Sequence, residues 1–212
     1  MAAIKYHQRA DLVRRAFRLE QLTIAWMAIE AVVAIGSGVA ARSLSLIAFG
    51  ADSLIELASA GLLLWRLTIE IRRGEKFPEA IERHASRTSG ALLFALAAYV
   101  AATSIYGLWR HEGQEFSLPG LIIAALAIPI MYFLAREKIR IADQIGSPAL
   151  RADAAEAIAC GYLSGVVIVG LLAQLLSGAW WIDSAAALVI VGFLVREGLE
   201  AWRPEACCGQ PD

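Results

Sequence analysis

The sequence is poor in the residues on which soluble domains and small disulfide-rich proteins depend. Of its 212 residues only three are cysteine and three are histidine, and charged residues make up 18% of the chain. An average soluble domain is about one quarter charged. Three cysteines are too few for a disulfide framework, and their spacing does not match a zinc finger. The formal net charge of −1 argues against nucleic acid as a partner.

The sequence is instead rich in apolar residues, which make up 58% of the chain and are arranged in long blocks. Lys and Arg are absent from residues 21–41, 43–65, 88–109, 116–135 and 152–195. The last block is too long for one crossing. It is interrupted at Ser177-Gly178, which favours a helix end, and Asp183 follows as a cap for the next helix. The pattern predicts an all-α membrane protein with six transmembrane helices, each near the ~20 residues that span a bilayer.

The predicted helices cover about residues 21–41, 43–66, 88–109, 116–135, 149–177 and 183–201. Residues 1–20 are expected to form a cytoplasmic or interfacial N-terminal segment, residues 21–202 the membrane domain, and residues 203–212 a short cytoplasmic tail. If the N-terminus is cytoplasmic, every Lys and Arg except Arg42 and Arg110 lies on the cytoplasmic side. This distribution follows the positive-inside rule, so both termini are predicted to be cytoplasmic. The expected location is a bacterial inner membrane.

Several acidic residues fall inside these apolar blocks, where each costs roughly 2.5–3.5 kcal/mol on insertion. They lie in the middle of helices 1 and 2 and in the first half of helix 5: Glu30, Asp52, Glu56, Asp153 and Glu156. No Lys or Arg is expected at the same depths. Unpaired carboxylates in hydrocarbon must be protonated or hold a cation. The sequence therefore predicts a proton or cation site in the membrane core.

The spacing of these residues indicates how such a site is built. Asp52 and Glu56 are four residues apart and share one helix face, as do Glu156 and Cys160. With a rise of about 1.5 Å per residue, the two pairs overlap in depth within one turn. Four side chains on facing helices would meet as a tetrahedron, and carboxylate plus thiolate ligands suit zinc or cadmium. Iron, manganese, cobalt and mercury stay open, because a thiolate favours soft ions and carboxylates favour harder ones.

Three stretches resemble the cation diffusion facilitator family. They are FGADSLIE at residues 49–56, GSPALRADAAE at residues 146–156 and WWID at residues 180–183. The resemblance covers about residues 20–202, and it is closest to a short form that lacks the family's cytoplasmic C-terminal domain. It implies six membrane helices, with an acidic pair on helix 2 and a His-then-Asp pair on helix 5. It also implies a homodimer that exports divalent metal ions in exchange for protons.

The sequence departs from the family pattern at the expected ligands. Glu156 stands at the family's His position and Cys160 at its Asp position, and the helix-2 pair is Asp then Glu. The histidine-rich stretch often found between helices 2 and 3 is absent, and His84 is the only histidine there. Metal choice and regulation by a cytosolic domain are therefore not carried over. The predicted metal ligands are Asp52, Glu56, Glu156 and Cys160.

Other polar residues have both functional and structural interpretations. Glu30 and Asp153 are candidates for an additional site or a proton relay, although Asp153 lies where the dipole of helix 5 favours an anion. Asp183 is expected to cap helix 6, and Glu197 and Glu200 are expected at the membrane interface.

Small residues and the terminal cysteines are more ambiguous. Gly161 and Gly165 are four residues apart and are expected to support close packing of helix 5 or to let it tilt. Cys207 and Cys208 would pass a soft metal to the pore, carry palmitate or have no role.

The favoured hypothesis is a secondary transporter, not an enzyme, that exchanges a divalent metal for protons and has no resident cofactor. One alternative is a proton-coupled exporter of small organic cations, but few aromatic residues lie near the acids. Another is a membrane protein that binds metal or assembles without transport, which a flux measurement would separate. A membrane enzyme has the least support, because no nucleophile motif or His cluster accompanies the acids.

Overall fold

The computed structural model describes residues 2–73, 79–111 and 115–202, and within these ranges it contains helices and short turns but no strand. Six helices follow one another: α1 (Ala2–Ala41), α2 (Leu44–Arg73), α3 (Glu79–Arg110), α4 (Leu118–Ile145), α5 (Pro148–Ser177) and α6 (Ile182–Trp202). The predicted all-α architecture of six helices is confirmed. The end where α1 and α5 begin and α2 and α4 end is called the inner end here, since it is the predicted cytoplasmic one.

Several helices continue beyond the apolar blocks at the inner end. Helix α1 is 40 residues long and runs without interruption through residue 20. Val13 and Ala16 are buried, so this charged stretch packs against the bundle. Helix α4 likewise continues ten residues past residue 135, to Ile145. Lys and Arg end an apolar block but are good helix formers, so the helices extend until a Gly or a loop stops them.

Five of the helices are long and apolar enough to cross a membrane. Within the described ranges these candidate spans are Asp11–Ala41, Leu44–Ile69, Gly90–Arg110, Leu118–Ile145 and Asp153–Ser177. Helix α6, the sixth predicted crossing, is 21 residues long and carries Asp183, Arg196, Glu197 and Glu200. Of these four side chains, those of Asp183 and Glu197 are turned into the bundle, as the candidate site shows, whereas those of Arg196 and Glu200 are exposed.

The helices pack in three extensive pairs, α1 with α2, α4 with α5 and α3 with α6, and α1 also packs on α4. Glycines allow the close approach of α1 and α2. A Cβ on Gly38 would lie 2.9 Å from the backbone N of Ile47, and one on Gly50 would lie 2.9 Å from the backbone N of Ile35. Because these neighbours are backbone atoms, no rotamer change can relieve either contact, so α2 is fixed against α1 at these two points.

The close-packing expectation for Gly161 and Gly165 is wrong. A Cβ on Gly161 would meet only Met131, at 3.9 Å, and a Cβ on Gly165 would meet nothing within 4 Å. Spacing alone does not show which face of a helix meets a neighbour, and in α5 these two glycines lie on a loosely contacted face.

The ends of α4 and α5 are set by local sequence. The hydroxyls of Ser117 and Ser147 accept hydrogen bonds from backbone N–H groups in the first turns of α4 and α5. The two helices end at Gly146 and Gly178, which have φ values of 67° and 64° and take the left-handed conformation that glycine tolerates. The predicted start of helix 5 at Ser147-Pro148 and its end at Ser177-Gly178 both agree with this.

Asp183 caps a different helix from the one expected. Its carboxylate accepts hydrogen bonds from the hydroxyls of Ser43 (2.8 Å) and Ser45 (2.5 Å) and from the backbone N–H of Leu44 (2.6 Å). The prediction of an Asp183 cap on helix 6 is therefore corrected, because the carboxylate caps the N-terminus of α2. The first turn of α6 is tied to the first turn of α2 at the outer end.

Two apolar clusters of described residues fill the bundle. The larger one includes Met27, Leu46, Phe49, Met131 and Leu163 and receives residues from all six helices. The smaller one, called the inner plug here, lies at the inner ends of α1, α2, α4 and α5. It consists of Val13, Ala16, Leu63, Leu67, Ile141, Ala142, Ile145 and Leu150.

Candidate metal centre

Three carboxylates meet in the interior of the bundle. One oxygen each from Asp52 and Glu56 of α2 and Glu197 of α6 lies within 4.8 Å of the other two. Asp52 is fully buried, Glu56 is 6% exposed and Glu197 is partly buried. The four-residue spacing of Asp52 and Glu56 therefore does present both carboxylates on one face, and that face is turned toward α6.

The oxygens of this centre lack hydrogen-bond partners. Both oxygens of Asp52, both oxygens of Glu56 and Oε1 of Glu197 are buried and accept no hydrogen bond. Buried polar atoms in proteins are almost always paired, since an unpaired one costs on the order of 1–3 kcal/mol or more. Three carboxylates this close also repel one another if they are all ionised. The centre is therefore arranged to receive protons or a cation.

The register between α2 and α6 brings the third carboxylate to this depth. Counted from the contact of Asp183 with the start of α2, Asp52 lies about 12 Å along α2 and Glu56 about 18 Å. Glu197 lies 14 residues after Asp183, about 21 Å along α6, and the two helices run in the same direction. The cap at the outer end thus places Glu197 within a turn of Glu56.

Glu197 is not among the ligands that the sequence predicts. The residue lies between Arg196 and Glu200 near the end of an apolar block, and this setting is typical of a membrane interface. Glu200, in contrast, is exposed and accepts a hydrogen bond from Arg196 at 3.0 Å. Counting along parallel helices 2 and 6 from a shared outer end would have indicated the depth of Glu197.

Glu30 and Cys160 form a second polar cluster beside the three carboxylates. The Glu30 carboxylate accepts hydrogen bonds from the Ser53 hydroxyl (2.6 Å), the Trp26 indole N–H (2.7 Å) and the Cys160 thiol (3.3 Å). Glu30, Ser53 and Cys160 are all fully buried. Ser53 follows Asp52 directly, so this cluster adjoins the carboxylate centre across α2. Glu30 is well partnered, unlike the acids of the centre.

The two predicted ligands of helix 5 are not members of the group that the three carboxylates form. Glu156 is partly buried and lies within hydrogen-bonding range of Ser59 of α2. Cys160 points its thiol at Glu30. Among the described residues, the structure thus groups Asp52 and Glu56 with Glu197 and does not draw Glu156 and Cys160 into the same group. Helix 5 does face α2 at this depth, as the spacing predicts.

Asp153 is engaged in an ion pair. Its carboxylate accepts a hydrogen bond from Lys138 of α4, and the same ammonium donates to Glu20 of α1. Lys138 and Glu20 are completely buried. The expectation that no basic residue lies at the depth of the helix-5 acids is wrong for Asp153, because α4 continues inward through the charged stretch that contains Lys138. The other cysteines named above, Cys207 and Cys208, lie outside the described residues, as does the tail 203–212.

Comparison with known families accounts for nearly the whole bundle. A family model described as the cation efflux transmembrane domain matches residues 21–205, from within α1 to beyond α6. A comparison with curated proteins gave no match. The family model confirms the resemblance to cation diffusion facilitators that the stretches on helices 2 and 5 indicate, and members of this family are transporters of metal cations. The chain belongs to the cation efflux family, and it is an integral membrane protein that serves cation efflux.

Proposed function

We propose that this protein exports a divalent transition metal in exchange for protons through a site centred on Asp52, Glu56 and Glu197. The observation that carries the proposal is the set of five buried carboxylate oxygens without hydrogen-bond partners. A divalent cation would satisfy these oxygens and neutralise most of their charge. A neutral hydrogen-bonding substrate would leave the repulsion between the carboxylates in place.

Protons are the natural exchange partner for such a site. Carboxylates must be deprotonated to bind a metal, so metal binding releases protons and proton binding expels metal. The three acids titrate as a coupled set, since each one that ionises makes ionisation of the next less favourable. A cytoplasmic metal would load the centre with proton release, and protons arriving from the outer side would displace it.

The metal class follows from the ligand atoms. Three carboxylates alone favour borderline or hard ions such as zinc, iron(II) or manganese, and a thiolate would shift preference toward cadmium. We propose that Glu156 and Cys160, one turn apart on α5 and facing α2, join the coordination when α5 moves relative to α2. Cys160 would then exchange its contact with Glu30 for the metal.

The proposal is tested by metal uptake into proteoliposomes that carry a pH gradient, with zinc, cadmium, manganese and iron(II) measured separately. We expect uptake that depends on the gradient, loss of uptake in Asp52→Asn and normal uptake in Glu200→Gln, which changes an exposed acid of α6. Uptake that is unchanged in Asp52→Asn would refute the site.

Cys160→Ser tests the thiol separately from the carboxylates. If the thiol is a ligand, the variant loses cadmium uptake more strongly than manganese uptake. Equal uptake of both metals in wild type and variant would assign Cys160 to the packing around Glu30 and would remove it from the ligand set.

We further propose that the functional unit is a homodimer in a bacterial inner membrane, which rests on the family resemblance and the distribution of Lys and Arg. Cross-linking of single-cysteine variants in membranes, followed by mass measurement in detergent, tests the dimer. Protein that is purely monomeric by mass and still transports metal would contradict the dimer.

A further inference from the structure

A buried ion-pair cluster connects three helices near the inner end and plays no part in the centre described above. Lys138 of α4 lies between Glu20 of α1 and Asp153 of α5, and its ammonium is 3.2 Å from Glu20 Oε1 and in contact with Asp153. The side chains of Lys138 and Glu20 are fully buried and that of Asp153 is 8% exposed. A lysine sealed from solvent on this scale is uncommon unless it is paired.

The position of this cluster is informative. Lys138 lies 20 residues after the start of α4 at the outer end, about 30 Å along the helix, whereas Glu56 and Glu197 lie about 18 Å and 21 Å from the starts of α2 and α6, so the cluster lies between the carboxylate centre and the inner end. Each of its members has an inner-plug residue one turn closer to that end: Ala16 for Glu20, Ala142 for Lys138 and Leu150 for Asp153. The ion pairs and the inner plug therefore follow each other along the same helices and close the space through which the cytoplasm would reach the centre.

The chemistry of the cluster makes it close in an all-or-none manner. The single ammonium of Lys138 compensates the buried carboxylates of both Glu20 and Asp153. Removing Lys138, or removing both carboxylates, leaves uncompensated charge in an apolar setting, which is far costlier than the complete cluster or the separated, hydrated groups. The cluster is therefore held closed by Lys138 and opens when all three groups are hydrated together. This is the behaviour required of the two-state element in a transporter that opens to one side at a time.

We propose that Glu20, Lys138 and Asp153 form the inner gate of this protein. Their ion pairs hold α1, α4 and α5 together over the inner plug, and they separate when the centre opens to the cytoplasm. Separation also presents the carboxylates of Glu20 and Asp153 to an arriving cation, in place of the ammonium of Lys138. The role of the opening rests on the proposed function, but the closure itself is a property of the bundle and can be measured without transport.

The chain provides a matched control for the gate. Arg151 of α5 donates a hydrogen bond to Asp143 of α4, so this pair joins two of the same helices. The side chains of Arg151 and Asp143 are 65% and 51% exposed, in contrast to those of the gate. An exposed pair contributes little to helix association, so Arg151→Met should leave the closure intact.

The test is the rate at which a membrane-impermeant maleimide labels a cysteine placed in the inner plug. Ala16→Cys is the reporter, in a parent with Cys207→Ser and Cys208→Ser and in inside-out vesicles. The parent without the reporter supplies the background from Cys160. Ala48→Cys, a fully buried position near the outer end of α2, reports general loosening from right-side-out vesicles.

We expect slow labelling of Ala16→Cys in the parent and in Arg151→Met. Lys138→Met, which leaves the carboxylates of Glu20 and Asp153 without their counter-ion, should accelerate it about tenfold or more, since a change of about 1.4 kcal/mol shifts an equilibrium tenfold. The double variant Glu20→Gln with Asp153→Asn, which preserves both side-chain shapes and leaves Lys138 without a counter-ion, should accelerate it by a similar factor. If Lys138→Met does not fold, the double variant decides alone, and Ala48→Cys should label at the parent rate throughout.

Two results would overturn the gate. One is an unchanged labelling rate of Ala16→Cys in folded Lys138→Met or in the folded double variant Glu20→Gln with Asp153→Asn. The other is an equal acceleration at Ala48→Cys, which would show that the cluster only stabilises the bundle as a whole. Because labelling needs no metal, the gate can stand when no metal is transported, and metal transport can stand when the gate fails.

Discussion

The replacement Glu197→Gln tests whether the third carboxylate binds the cargo. At a separation of about 4 Å and an effective dielectric constant of about 20, two unit charges interact with about 4 kcal/mol. Part of this lost attraction between the metal and the third carboxylate is offset, because a neutral amide costs less free energy to bury than a carboxylate. A net loss of about 2 kcal/mol, or a roughly thirtyfold weaker metal affinity, is therefore expected.

Glu197→Gln should change the melting temperature in opposite directions, relative to the wild type, without and with metal. Without metal, Glu197→Gln should raise the melting temperature, because it removes a buried acid that either repels the two neighbouring carboxylates or must take up a proton to avoid that repulsion. With metal at about 100 times the wild-type Kd, the wild type should gain about 2.7 kcal/mol and the variant only about 0.9 kcal/mol. For a chain of this size these gains correspond to increases in melting temperature of about 5–11 °C and about 2–4 °C.

The assay is thermal unfolding of the detergent-solubilised protein with and without zinc or manganese, with Glu200→Gln as the matched control. Glu200 lies on the same helix, is exposed and pairs with Arg196, so Glu200→Gln should behave as the wild type. If Glu197→Gln retains the full metal-induced shift, Glu197 does not bind the metal and the reasoning from the unpartnered oxygens fails for α6.

Further predictions concern pH and packing. Metal affinity should fall as the pH falls, because protons compete with the metal for the same carboxylate oxygens. Titration calorimetry at several pH values measures this, and an affinity that stays constant would argue against proton exchange. Gly50→Ala should lower the melting temperature, because its Cβ would meet the backbone of Ile35, at a cost of about 1–3 kcal/mol in the free energy of unfolding. The Cβ of Gly165→Ala would enter open space, so this variant should be neutral or stabilising. Similar melting temperatures for the two variants would contradict the packing of α1 and α2. Asp183→Ala should weaken metal binding without touching the centre, since it releases the register between α2 and α6, and a full metal-induced melting shift in this variant would show that the register is set elsewhere.

Much of the fold was predictable because its signals are local. The absence of Lys and Arg marks the apolar blocks, and the Ser-Pro and Ser-Gly pairs at residues 147–148 and 177–178 mark the ends of α5. The shared face of Asp52 and Glu56 also follows from helix geometry alone. These features depend on residues within one or two turns of each other, so no tertiary information is needed.

The parts that the sequence did not predict depend on contacts between distant helices. Which way Cys160 points is set by the rotation of α5 against α1, which brings its thiol to Glu30. The depth of Glu197 depends on Asp183 capping α2, a contact across 139 residues. The burial of Lys138 depends on two acids from other helices, and within its own charged stretch it is indistinguishable from an interfacial residue. Sequence spacing shows which residues share one face of a helix. Only the packing of the helices shows which neighbouring helix that face contacts.

In the proposed exchange, metal and protons compete for the carboxylate centre and cross the membrane in opposite directions. The sharpest measurement is the internal pH of proteoliposomes, followed with a trapped dye, when metal is added outside without an imposed gradient. Metal entering the vesicles should drive protons out, so that the lumen becomes alkaline with the wild type and stays unchanged with Asp52→Asn. Metal entry without any change in luminal pH, or the same change with Asp52→Asn, would contradict it.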